Sequence, residues 1–172
     1  MKHSQLTESV LKPLSATVAQ AYLSDRLQVT DILSWILDQT GPARVRMTSF
    51  SISEEFLRRI FFIEKEGLIQ SLDLVLDFKA TNKTLILWPF IAQTVEHCYL
   101  ASNHSKLLLV ENDRWKVAVV MSQNLTRGNR FESGFISTDP AVFSALHEQL
   151  DYVITRQSVP FNEVFDRTIT YD

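Results

Sequence analysis

The chain has a single cysteine, Cys98, so neither a disulfide framework nor a cysteine-built zinc site can organise it, and a reducing compartment is expected. Four glycines and five prolines in 172 residues exclude collagenous, linker-like and low-complexity architectures. Positive charge is also scarce. Seventeen basic against 20 acidic residues give a net charge of −3, so no global field draws the chain to nucleic acid or membrane, and any anion site must be local. The longest apolar run, Leu85–Ala92, is too short to span a bilayer, and the N-terminal MKHSQLTESVLKPLSATVAQ lacks the apolar core of a secretory signal. These absences lead to the expectation of a soluble, cytoplasmic protein without membrane insertion. What is present is a hydrophobic content of 45% in a chain of about one domain's length, enough for a substantial core.

The patterning alternates strand and helix. Gln5–Tyr22 carries a weak amphipathic pattern that predicts a helix, broken or restarted at Pro13. Thr30-Asp31 is expected to cap a helix through ILSWILDQ, ended by Gly41-Pro42. Ala43–Ile52 alternates as a strand, and Ser53-Glu54-Glu55 opens a helix ending at Gly67. Leu72–Phe78 reads as a strand; KATNKTLILWPFIAQ is ambiguous, helical in length but interrupted by Pro89. VEHCYLA, LLLV, VAVV and Phe131–Ser137 read as consecutive strands, and Asp139-Pro140 starts a last helix with apolar residues at 142, 143, 146, 150, 153 and 154. The order predicts an α/β fold, a mixed β-sheet flanked by helices on both faces. Residues 1–28 are expected to be an N-terminal helical extension, 29–157 the domain proper and 158–172 a C-terminal tail. Trp35, Phe61, Phe62 and Phe143 fall on apolar stripes and are expected in the core, whereas His3 and His147 look like surface positions. Asp73 and Asp77 share a strand face without a third group near them, so no chemistry is expected of them.

One stretch stands out, NHSKLLLVENDRWKVAVVMSQN, Asn103–Asn124. Two apolar runs flank a short polar break, the pattern of a buried hairpin, yet its open end collects polar side chains. With a loop at Asn112–Lys116, Glu111 opposes Val117, Lys106 opposes Ser122 and His104 opposes Asn124. All four open-end side chains then share one face. A second loop at Leu125–Asn129 sets Asn124 against Arg130 and Ser122 against Glu132. The result is a patch of His104, Lys106, Ser122, Asn124 and Glu132, bordered by Arg130. Such a patch suits a phosphodiester. Lys106 supplies charge to a non-bridging oxygen, Ser122 and Asn124 donate hydrogen bonds, and neutral His104 is a competent nucleophile near pH 7. Glu132 bonded to the imidazole would fix its tautomer. No metal is called for, since neither an acidic cluster nor a His pair at ligand spacing is present, and no cofactor is implied.

The same residues resemble the signature of the phospholipase D superfamily, H-x-K-x4-D followed by G-S-x-N. His104, Lys106 and Glu111 stand at the first three positions, Met121-Ser122-Gln123-Asn124 at the second motif, and Glu132 at the acidic position of the following strand. The resemblance spans about Val29 to Arg156 and implies a phospholipase D-like half. Two departures are Glu111, where the family has a structural Asp, and Met121, where it has a Gly and where a larger side chain is expected to narrow the site. The family needs two such motifs, one histidine attacking and the other protonating the leaving oxygen. This chain has one, so the resemblance implies a homodimer with His104 of both copies in one site. It also implies a metal-independent phosphodiesterase acting through a phosphohistidine, most often a nuclease among short members. Arg127 and Arg130, and Arg44 and Arg46 on the first predicted strand, are candidate phosphate contacts for a nucleic acid or another phosphodiester. The alternatives are a catalytically silent dimeric binding module and a phospholipid hydrolase; against the latter, no basic amphipathic surface helix is evident. Trp115 in the hairpin loop is expected to be exposed and available to an interface.

Overall fold

The computed structural model describes residues 3–164. Helix α1 (His3–Val10) and a 3-10 turn lead into β1 (Ala19–Ser24), then α2 (Val29–Thr40), β2 (Ala43–Ser49), α3 (Glu54–Lys65), β3 (Ile69–Asp77), α4 (Thr81–Thr94) and β4 (His97–Ala101). Strands β5 (Leu107–Glu111), β6 (Lys116–Met121) and β7 (Glu132–Ser137) follow, then α5 (Pro140–Tyr152), a π-helical turn and β8 (Ser158–Pro160). The strands form one eight-stranded sheet in the order β1-β7-β6-β5-β2-β3-β4-β8. The β2–β3 and β3–β4 pairs are parallel and the rest antiparallel, giving the mixed sheet read from the sequence.

Both edges draw on segments outside the 29–157 span. Much of the Gln5–Tyr22 stretch is not helix: α1 ends at Val10, Pro13 leads into a 3-10 turn, and the chain turns into β1, which pairs antiparallel with β7. Tyr22 and Ser24 are buried while Ala21 and Leu23 are exposed, a period of two that a helical template had hidden. At the other edge β8 pairs with β4.

The helices start and stop for local reasons. The cap of α2 is Gln28, one residue before the helix and earlier than the Thr30-Asp31 expectation: Gln28 and Asp31 exchange side-chain and backbone hydrogen bonds in a capping box. Gly41, at φ 75, closes the helix through its N–H to the Leu37 carbonyl. Ser53 caps α3 through Phe56 N–H, and Asp139 caps α5 through Ala141 N–H with Pro140 in the first turn. Pro89 lies inside α4 and does not end it.

Two apolar layers sandwich the sheet. One joins α2, α3 and the C-terminal part of α4 to Val45, Met47, Leu108, Val110, Val117 and Val119. On the other face, Phe143 and Leu150 of α5 pack on Val75, Leu107, Leu109 and Ala118. LLLV and the first three residues of VAVV are apolar on both faces for this reason, and burying each such Leu or Val contributes roughly 1.5–3 kcal/mol, whereas Val120 near the end of β6 is exposed. Of the expected core aromatics, Trp35 and Phe143 are buried and Phe61 is half-buried. Phe62 is exposed, because it lies on the outer side of α3.

Candidate functional site

Strands β2, β3 and β4 run parallel and end at Ser49, Asp77 and Ala101; β6 also ends, and β5 and β7 begin, at this end of the sheet. Crevices beyond the carboxyl ends of parallel strands are where α/β sheets place ligands. The polar residues of the hairpin's open end gather here.

His104 lies in the link between β4 and β5, exposed, with its ring 5.5 Å from that of Phe50. Lys106 Nζ donates to the His104 carbonyl at 2.7 Å and lies 3.2 Å from His104 Nδ1. An ammonium group only donates, so in this state Nδ1 is the acceptor and Nε2 carries the imidazole proton. On the neighbouring strands Ser122 Oγ donates a short hydrogen bond to Glu132 Oε2 and accepts from Ser133 N–H at 3.0 Å. Asn124 Oδ1 lies 3.3 Å from Ser49 Oγ, which also accepts from Leu125 N–H at 3.0 Å.

The hairpin register differs from the sequence-based one by a residue. Glu111 pairs with Lys116 and Leu107 with Val120, and the Lys106 carbonyl accepts from Met121 N–H. Lys106 therefore does not oppose Ser122, nor His104 Asn124. The cause is Asn112, whose Oδ1 accepts from the N–H groups of Arg114 and Trp115 while its Nδ2 donates to the carbonyls of Thr40 and Pro42. This Asx-type turn tightens the loop to residues 112–115. Trp115, expected to be exposed, is half-buried against the core. The second hairpin also shifts: Met121 pairs with Gly134, so Ser122 opposes Ser133 rather than Glu132. Glu132 takes the Ser122 hydroxyl and not an imidazole of its own chain. His104, Lys106 and Asn124 lie beyond the paired residues of β5 and β6, so their placement is set by tertiary bonds and not by the pleat.

Those bonds come from residues the sequence left unassigned. Buried Asp77 accepts from Asn103 N–H at 2.8 Å and from Lys79 N–H at 2.7 Å. Buried Asn103 donates from Nδ2 to the Ser49 carbonyl at 3.1 Å and accepts from Ser105 N–H and Oγ. Ser105 Oγ in turn meets Thr48 Oγ1 at 2.7 Å, and Thr48 Oγ1 accepts from Leu107 N–H. Asp77 is thus a scaffold for the His104 link, which its position at the end of a strand beside two others could have signalled. Gln123 anchors the other side: its Oε1 accepts from Tyr22 OH at 2.7 Å and its Nε2 donates to the Leu27 carbonyl. Burial, and secondarily the Glu132 charge, push the Tyr22 phenol well above its usual range. Tyr22 lies against Gly134, where any Cβ would overlap its ring and hydroxyl. Met121 is buried in the core and does not narrow the opening, contrary to expectation.

Among the arginines, Arg127 and Arg130 are exposed on the loop after Asn124, and Arg127 Nη1 pairs with Glu55 at 3.1 Å. Arg44 lies toward the opposite end of β2 from Ser49 and Arg46 at its middle, and neither bonds to the residues gathered at this site. Arg46 instead joins β2 to β3 and α5, with Nη2 2.7 Å from Asp151 and Nε 3.4 Å from Asp73. Asp73 also holds His97 at 3.0 Å. His147, expected at the surface, is half-buried between Glu111 and Asp151 at 3.6 and 3.4 Å. Glu111 thus stands at the far end of the hairpin from His104. Among the described residues no group of three or more His, Cys, Asp or Glu side chains is placed to hold a metal ion, and no helix is long and apolar enough to cross a membrane.

No family model and no curated protein matches the chain by sequence. Solved structures do match by shape. Nuc from Salmonella typhimurium, a phospholipase D family member, is 17% identical with a TM-score of 0.64 over 83% of this chain and 96% of its own. NucT from Helicobacter pylori is 13% identical at TM-score 0.55, covering 83% and 99%. A phosphatidylserine synthase from Haemophilus influenzae is 12% identical at TM-score 0.58, covering 86% of this chain and 42% of that one.

Proposed function

The chain has the fold of the phospholipase D superfamily, and we propose that it is a metal-independent phosphodiesterase, a nuclease whose active site is completed by a second copy of the chain. The observation that supports this best is the grouping at one sheet end of the His104–Lys106 pair and the Ser122–Glu132 pair, with Asn124 beside them. An arriving phosphate monoanion competes for the Lys106 ammonium and releases His104 Nδ1. Nδ1 then takes the imidazole proton and exposes the Nε2 lone pair. Attack forms an N–P bond as the P–O bond to the leaving group breaks. The departing oxygen needs a proton, and a second imidazole, protonated on both nitrogens, supplies it from Nε2 and becomes neutral. Water then attacks phosphorus, gives its proton back to that imidazole and releases His104. One chain offers one such imidazole, hence the homodimer.

Arg127 and Arg130 would meet the flanking phosphates of a nucleic acid; the exposed Arg127–Glu55 pair contributes little stability and is readily exchanged for a phosphate. The deciding experiment is incubation with single- and double-stranded DNA, RNA and a chromogenic phosphodiester in EDTA. Cleavage is expected to persist in EDTA and to fall by about 10²–10⁴ in His104→Ala. No cleavage of any substrate by the wild type would leave a silent binding module. Cleavage that survives His104→Ala would remove the assigned nucleophile. Hydrolysis of phospholipid vesicles without cleavage of nucleic acid would redirect the substrate class.

A further inference from the structure

The loop that follows Asn124 is clamped on both sides. Leu125 meets Ile52 in an isolated bridge and its carbonyl accepts from Ser53 N–H at 2.9 Å, which ties the loop to the start of α3. Gln28 ties it to the start of α2, with Nε2 donating to the Gly128 carbonyl at 3.0 Å. Between this loop and the N-terminal turns of the two helices lies a cavity of about 540 Å³, a size at which small ligands are bound. Arg26, Arg59 and Arg127 all line it. A smaller pocket shares Gln28, Glu55, Arg59 and Arg127 with the cavity and reaches Asn124, so the two adjoin and open on the candidate site.

The three guanidinium groups are held differently. Arg59 is fixed: Nη1 donates to buried Thr30 at 2.6 Å and to buried Asp31 at 3.1 Å, while the side chain stays 30% exposed. Arg127 meets Glu55 in an exposed pair that an arriving anion can displace. Arg26 is exposed and, among the described residues, its guanidinium has no ion-pair partner. We propose that this cavity is a subsite for a second phosphate of the substrate, linked to the one that reacts at His104, with Arg26 and Arg127 as its main contacts. The proposal rests on the phosphodiesterase reading for the first phosphate, whereas the walls of the subsite belong to one chain and need no second copy. A guanidinium fork donates two parallel hydrogen bonds to phosphate oxygens, which a single ammonium does not. Asp25 and Glu55, exposed on the cavity wall, weaken the local positive field, so a freely diffusing phosphate gains little there. A phosphate carried on a molecule already held at Lys106 does not depend on that field, because the link gives it a high effective concentration. The charge balance therefore selects two linked phosphates over a single one. An internal diester of a polynucleotide and a terminal monoester present the same oxygens to the arginines.

The test measures binding by calorimetry to the full chain carrying His104→Ala, so that the probes stay intact. The probes are a thymidine dinucleotide with its one internal phosphate, the same dinucleotide with an added 5′- or 3′-terminal phosphate, and the trinucleotide with two internal phosphates. A two-phosphate probe is expected to bind about tenfold or more tightly than the one-phosphate probe, as an added charge-assisted contact does. Arg26→Ala and Arg127→Ala should each remove most of that advantage and lower the salt dependence of binding by about one counterion. Arg44→Ala, at an exposed position toward the other end of β2, should keep the advantage. A gain limited to the terminal phosphate, or to the internal one, supports the subsite and identifies which phosphate it takes. Equal binding of all probes, no binding of the two-phosphate probes at millimolar concentration, or an advantage that both arginine variants retain would overturn it. Cleavage of a chromogenic diester by the wild type, scored in parallel, separates the two readings. Cleavage with equal binding of all probes keeps the phosphodiesterase and overturns the subsite. A two-phosphate preference lost in Arg26→Ala, in a chain whose wild type cleaves nothing, supports the subsite and sinks the activity.

Discussion

His104 and Lys106 are adjacent through space because the lysine folds back on its own link, so replacing the lysine acts on two things at once. Lys106→Met would remove both the phosphate's counter-charge and the donor that holds Nδ1. Cleavage should fall with little loss of stability, because the Lys106 side chain is half-exposed. Ser49 is the opposite case. It is fully buried and joins the Asn103 side to the Asn124 side, with its carbonyl accepting from one and its hydroxyl contacting the other. Ser49→Ala leaves Leu125 N–H without its acceptor, at a cost of about 1–3 kcal/mol, and should lower cleavage as well; thermal unfolding and kinetics on one sample check both. Tyr22 carries a pH signature. Its folded-state phenol stays protonated where the unfolded chain ionises, above about pH 10, and buried Cys98, pushed up to about 12, behaves likewise. Both groups stabilise the fold fully below their unfolded values, and that contribution is lost as pH rises through the alkaline range. Tyr22→Phe should cost about 1 kcal/mol at neutral pH through the orphaned Gln123 oxygen and should flatten the alkaline decline in denaturant titrations.

Among the elements, β1 changes most between sequence and structure. The helix expected over Gln5–Tyr22 gives way at its end to a strand, Ala19–Ser24, that covers Gly134 and reaches Gln123. Strand β1 thereby anchors the loop carrying Ser122 and Asn124, so residues that read as an extension become structural support for the site. Gly134→Ala forces a methyl into the Tyr22 ring and should destabilise by roughly 1–3 kcal/mol, as overpacking does, with the melting temperature as readout. The hairpin itself was recognised from its apolar runs, but its register was not. A single side chain, Asn112, decided that, through four hydrogen bonds to backbone groups, two of them at the last residue of α2 and just after it. Helix ends proved more legible: Ser53, Asp139, Gly41 and Gly67 all act where their residue types place them. Capping is local, and register is not.

At the scale of the whole molecule the two ends of the sheet are chemically distinct. One end gathers the candidate site. The other gathers Arg46, Asp73, His97, Glu111, His147 and Asp151 in an ion-paired network that ties α5 to the strands. Arg46, whose side chain is 12% exposed, holds the centre of that network. Arg46→Ala should destabilise by about 1–3 kcal/mol, since partly exposed Asp73 and Asp151 keep only His97 and His147 beside them, and at saturating substrate it should leave the rate of cleavage by the remaining folded protein unchanged, since the network lies away from the Ser49 end of β2. Comparison of unfolding free energy with rate per folded molecule separates these effects.

The sequence by itself determined most of the alternation of helix and strand from β2 to α5, with α4 left ambiguous, the burial of LLLV and of Val117–Val119, the ends marked by Ser53, Asp139 and Gly41, and which residue types could handle a phosphodiester. All of these follow from local spacing and side-chain chemistry. The tertiary structure decided where β1 goes, the pairing register, the removal of Arg44 and Arg46 from the site, and the network of Asp77, Asn103 and Ser49 behind it. Each of these depends on contacts between residues far apart in sequence, such as Asp77 with Asn103, Ser49 with Asn124 and Arg46 with Asp151, and no periodicity along the chain encodes them.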